Sequence, residues 1–119
     1  MEKFSLDALG RELLERARGA SSGRSAATVY GGHEHMLRQT VIALTQETVL
    51  AEHENPGEST VHILVGRIRL TSAETSWEAR SGDLLVIPRA RHQVLALEDS
   101  ILLLTVALPS QSAVSQQEH

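Results

Sequence analysis

The sequence contains no cysteine. That excludes disulfides, thiolate nucleophiles and cysteine-type zinc sites together, and it fits a reducing compartment, so the expected location is the cytoplasm. Long hydrophobic runs are missing as well. The longest, Ile101 to Leu104 continuing through Val106 to Leu108, falls far short of the ~20 residues a bilayer-spanning helix requires. Charges stand at the N-terminus where a signal peptide would carry its apolar stretch, so no membrane partner is expected. Positive charge is in the minority, with 11 Lys and Arg against 15 Asp and Glu and a net charge of −4. Neutralising a phosphate backbone needs clustered Lys and Arg. Arg11, Arg16, Arg18 and Arg24 do cluster, but Glu12 and Glu15 are interleaved with them, the pattern of a solvated helix face. Nucleic acid is excluded as a partner class, and no helix-turn-helix is visible.

What is present fits one compact domain. A chain of 119 residues with 41% hydrophobic content can bury a single core without a covalent staple. Leu6, Leu9, Leu13 and Ala17 recur at helical spacing, with Ser5 placed to cap the start and Gly19 to stop it. Ala20 to Ala26 is rich in Ser and Gly and reads as a linker. From Thr28 onward short strands follow one another with turn residues between them and no intervening helix, which indicates a sandwich or barrel. Gly31-Gly32 supplies the backbone freedom for a first hairpin. The expected organisation is an N-terminal helix and linker over 1–27, a six- to eight-stranded β-barrel over 28–108, and a disordered tail over 109–119.

The chemistry concentrates between His53 and His92. One segment reads His53-Glu54-Asn55-Pro56-Gly57-Glu58-Ser59 and runs on through a β-rich stretch to Gly66; the other reads Gly82-Asp83-Leu84-Leu85-Val86-Ile87-Pro88-Arg89-Ala90-Arg91-His92. Together they resemble the two-part motif of the cupin superfamily over roughly residues 28 to 107. In that motif a His-x-His pair is followed by Glu and Gly, and a later Gly by Pro-x-Gly and His. Here His53, Gly66, Gly82, Pro88 and His92 match. Asn55 stands at the second histidine, Ser59 at the glutamate and Ala90 at the last glycine, with one residue fewer before His92. The resemblance implies an all-β jelly-roll barrel of the RmlC-like kind.

Strand alternation selects which side chains reach the lumen. Val61, Ile63 and Val65 form the more apolar set after the Pro56-Gly57 turn, which turns Ser59 inward and His62 outward and leaves Glu58 off-register unless a bulge rotates it in. By resemblance, His53 and His92 are the metal-ligand candidates for one first-row divalent metal among Fe, Zn, Ni, Cu and Mn, with the shell completed by water or by Glu58 if it swings in. Asn55 and Ser59 are weaker donors. A metal-free pocket in which His53 and His92 serve as hydrogen-bonding residues is the alternative. Arg38 and Gln39 lie mid-strand, so one of the two points inward as a ligand-orienting candidate. His33 and His35 form a second His-x-His pair near a strand end, where a rim or surface role is favoured. Trp77, the only tryptophan, is expected in the core or an interface.

Two function classes follow. One is a small metal-dependent enzyme of oxygenase, isomerase, decarboxylase or lyase type that acts on a small organic molecule. The other is a non-catalytic ligand-binding or sensor module. The strand from Ile101 to Leu108 is apolar on both faces, so its outer face must be covered by the N-terminal helix or by a second subunit; a homodimer is the expectation.

Overall fold

The computed structural model describes residues 1–32, 34–52, 57–73 and 75–107, the side chain of Glu52 excepted. One helix precedes the strands: α1 (Leu6–Gly19), then β1 (Arg24–Tyr30), β2 (Leu37–Leu44), β3 (Val49–Glu52), β4 (Glu58–Val65), β5 (Arg67–Ser72), β6 (Thr75–Arg80), β7 (Leu84–Val86), β8 (His92–Ala96) and β9 (Ser100–Ala107). β1 begins at Arg24 rather than Thr28, so the linker is shorter than its Ser- and Gly-rich composition implied. The strands also exceed the expected six to eight. The tail expected over 109–119 lies outside the described residues.

All pairing is antiparallel. One sheet has the order β1-β2-β9-β4-β7 and the other β3-β8-β5-β6. Their inner faces enclose a core of Ile42, Leu44, Val61, Ile63, Ile68, Leu70, Val94, Ala96 and Leu102. The alternation read for β4 holds through Ile63, since Ser59, Val61 and Ile63 are buried. It fails at Val65. The register against β9 shifts between Ile63 and Val65, and this bulge turns Val65 to the surface.

α1 forms where its start and stop signals place it. The Ser5 hydroxyl accepts from the Ala8 amide at 3.2 Å. Leu13, Leu14 and Ala17 pack with Val41, Ala43 and Ile101 on the outer face of the five-stranded sheet, and Leu103 joins them. Gly10 permits the close approach, because a Cβ there would stand 2.8 Å from Ile101 Cγ2. The helix, not a second subunit, therefore covers the outer Ile101 and Leu103 side chains. The apolar pattern of β9 no longer argues for a dimer at those positions.

The end of the barrel nearest the C-terminus of α1 is fastened by polar contacts. Asp99 accepts from the Gln46 amide at 2.8 Å and from the Arg18 guanidinium at 3.0 and 3.3 Å. The Gln46 amide and then Arg18 hold its carboxyl below the usual carboxylate range. Ser100 is fully buried; its hydroxyl accepts from the Arg67 amide at 3.1 Å and faces the carbonyls of Glu98 at 2.8 Å and Arg67 at 3.2 Å. Thr45, Thr48 and the Gly23 carbonyl add a third knot. The opposite end of the barrel is where the candidate residues collect.

Candidate ligand-binding site

At that opposite end β2 and β4 begin, β9 ends, and the chain passes from β7 through Pro88–Arg91 into β8. On the five-stranded sheet, Arg38 pairs with Val106 and Val106 with Ser59, so these three form one row across β2, β9 and β4. Directly opposite residues of an antiparallel sheet share a face, and Ser59 and Val106 are both buried. The row therefore faces the lumen, with Arg38 at its exposed outer end. Gln39 belongs to the other face, where its amide donates to the Thr105 hydroxyl at 3.3 Å. Of the two mid-strand candidates Arg38 is the inward one, and Gln39 is ruled out as a lumen residue.

On the facing sheet His92 opens β8 and shares its inner face with Val94 and Ala96, as alternation required; it is 6% exposed. Its Nδ1 lies 3.2 Å from the Ala90 carbonyl. A carbonyl oxygen can only accept, so a bond here protonates Nδ1 and makes Nε2 of the neutral ring an acceptor. Ser72 donates to the Arg91 carbonyl at 3.0 Å and ties the approach to His92 onto β5. On the β4 side the Ile87 amide donates to the Ser59 carbonyl at 3.0 Å and fixes the β7 end against Ser59. Among the described residues the buried polar side chains are Ser59, His92 and Ser100. Ser100 belongs to the fastened end, so Ser59 and His92 are the buried polar side chains described at the open end, beside exposed Arg38 and the Thr28–Thr40 hydroxyl pair at 3.3 Å on the same inner face.

Other candidates fall elsewhere. Glu58 is exposed and lies off-register on the outer face; it lines a groove of about 520 Å³ with Thr60, Val86, Arg89, Thr105 and Ala107 that also reaches Ser59 and Ile87. It does not join His92 as a third donor. His53 and Asn55 lie outside the described residues, as does His33. His35 sits before β2 rather than on it, exposed and with its ring centroid 5.0 Å from that of Tyr30. Among the described residues no group of three or more His, Cys, Asp or Glu could hold a metal. One imidazole and one hydroxyl do not make a first-row metal site.

One residue of this end escaped the sequence reading. Trp77 pairs with Leu70 and shares its face with buried Ala79, so it points to the lumen side of β6, yet it is 48% exposed rather than core. A signal existed in the sequence: Glu78 is complementary to Arg69, and the two meet at 3.1 Å on the outer face, which leaves Trp77 for the inner one.

The solved structures that this fold resembles agree with the architecture. A conserved protein of unknown function from Streptococcus pyogenes superposes with a TM-score of 0.67 at 25% identity, over 76% of this chain and 79% of that one. A cupin superfamily protein from Desulfitobacterium hafniense gives 0.66 at 14% identity, over 72% and 78%. An RmlC-like cupin from Desulfovibrio desulfuricans gives 0.61 at 22% identity, over 71% and 81%. No protein-family model matches the sequence, and no curated protein does. The chain is a small cupin-fold domain, a class that often binds small molecules or metals. Among the described residues no helix is long and apolar enough to cross a membrane.

Proposed function

We propose that this domain binds a small organic molecule at the open end of its barrel, with His92 and Ser59 as the polar contacts and Arg38 at the rim. The observation that carries the reading is the placement of Ser59 and His92, buried on facing sheets at one end of the barrel's apolar core. A few convergent polar groups in an apolar concavity are what orient a ligand.

A thermal-shift screen of small metabolites on the parent and on Ser59→Leu tests this. Leucine at Ser59 fills the lumen beside Val106 and leaves the fastened end untouched. Compounds that raise the melting temperature of the parent should leave that variant unmoved. Equal shifts in both proteins would place the binding elsewhere.

A metal-dependent reading rests on one feature, the buried His92 imidazole at the open end. It needs a second imidazole, and His53 is the candidate. His53 lies outside the described residues. When bound, a divalent ion would supply Lewis-acid polarisation of a substrate oxygen. Elemental analysis of untagged protein beside His92→Ala tests it, with stoichiometric metal expected in the parent and none in the variant.

A further inference from the structure

We propose that the ligand carries a flat, apolar ring and that Trp77 is the platform on which this ring packs. The inference rests on the lumen reading above and adds the class of molecule. Trp77 lies one row from the lumen's polar end: it pairs with Leu70, Leu70 pairs with Val94, and Val94 is two residues beyond His92 on β8. Two inter-strand spacings of ~4.8 Å and one two-residue step of ~7 Å put its Cα about 12 Å from that of His92, the span of a small ring compound with one polar substituent.

The neighbouring geometry favours a ligand over ordinary packing. Trp77 shares its face with Ala79, which is 3% exposed, while Trp77 itself is 48% exposed. The difference comes from the corner of the barrel. β6 passes into β7 through 81–83 and so crosses from one sheet to the other, and β7 is only three residues long. The inner residues of the β7 segment are Leu85 and Ile87, and the Ile87 amide is held on the Ser59 carbonyl. The indole stands one row deeper in the barrel than His92, on a lumen side that is apolar at Leu70, Leu85, Ile87 and Val94, with Ser59 and His92 as the polar groups at the open end. Aromatic rings stack offset on such a surface without demanding directional bonds.

The probe is 8-anilinonaphthalene-1-sulfonate, and the chain's one tryptophan makes Trp77 its own reporter. Exciting the indole should give saturable, one-to-one energy transfer to the dye. Trp77→Leu should weaken dye binding, read by direct dye excitation, by roughly ten-fold, in line with the loss of one aromatic stack. Trp77→Phe should restore most of the affinity, and far-UV circular dichroism with urea unfolding confirms that both variants remain folded. Ser59→Leu should also lose the dye. Binding lost in Ser59→Leu but unchanged in Trp77→Leu overturns the platform and leaves the lumen reading intact. Retention in both variants, with loss in Val86→Glu, puts the dye on the outer face and overturns both readings. Absence of saturable binding by the parent overturns the platform, as does loss in Trp77→Leu with retention in Ser59→Leu, which separates the indole from the lumen.

Discussion

Two glycines with nearly the same backbone conformation should respond very differently to one added methyl group. Gly66 has φ +96° and Gly82 has φ +93°. Either becomes strained when it gains a side chain, at about 1–2 kcal/mol for a left-handed residue. Alanine also stiffens the unfolded chain, which returns about 0.4–1 kcal/mol. At Gly82 nothing lies within 4 Å of the added Cβ, so Gly82→Ala should cost only the remainder, about 1 kcal/mol. At Gly66 the Cβ would stand 2.3 Å from the Ser100 hydroxyl, 2.4 Å from the Asp99 carbonyl and 2.8 Å from the Ser100 Cα. Two of those atoms are backbone and cannot swing aside. The hydroxyl can move only by breaking its bonds to Arg67 and Glu98. Overpacking of about 1–3 kcal/mol and roughly 1 kcal/mol for each buried hydrogen bond lost are added to the strain. Gly66→Ala should therefore lose about 4–6 kcal/mol, counting two of the Ser100 bonds. Urea unfolding followed by far-UV circular dichroism measures both losses, provided the slopes agree with the parent's. Equal losses in the two variants would refute the reasoning, since strain alone would then explain both.

Asp99→Asn should lower stability at neutral pH by about 1 kcal/mol, a modest amount because the pair with Arg18 is partly exposed. The Asp99 carboxyl is held below its unfolded value, so its contribution is complete above that value and fades as pH falls through the folded one; the gap between variant and parent should close across the acid limb, and a gap that persists at pH 2 would contradict it. Ser5→Ala removes the cap on α1 and should cost about 1 kcal/mol in urea unfolding; an unchanged midpoint would mean that the helix end is held by packing alone. A homodimer, if it is the assembled state, should bury the exposed Leu84 and Val86 beside the polar strip of Thr60 and Thr105, because α1 covers the rest of that face. Light scattering should then show Val86→Glu as a 13.0 kDa monomer, and a parent that is already monomeric at micromolar concentration would remove the dimer.

The elements most legible in the sequence were those whose signals are local. The Leu6, Leu13 and Ala17 spacing with Ser5 ahead of it defines α1 almost to the residue, and the alternation of Ser59, Val61 and Ile63 carries directly into burial. Non-local effects were hidden. Nothing between Ile63 and Val65 announces that β9 will pair with a register shift, so the outward turn of Val65 could not be read from β4 alone. The choice between Arg38 and Gln39 likewise depended on which face Val106 and Ser59 presented. A strand apolar on both faces reports that something covers it but not what, and the cover proved to be α1. Trp77 was misplaced for the opposite reason: its parity was readable, while its exposure depends on the brevity of β7. Glu58 fell outside the lumen as its parity required, so the donor set implied by the resemblance is not assembled by the described residues.

The polar knot of Asp99, Ser100, Arg18 and Arg67 has a consequence for how this domain can change. The knot and the residues proposed to meet a ligand occupy opposite poles of the barrel. Substitutions around Arg38, Ser59, Trp77 and His92 then draw little on the reserve that keeps the chain folded, and the usual exchange of stability for activity is relaxed. Such a scaffold can explore new ligands by altering one pole while the other stays constant.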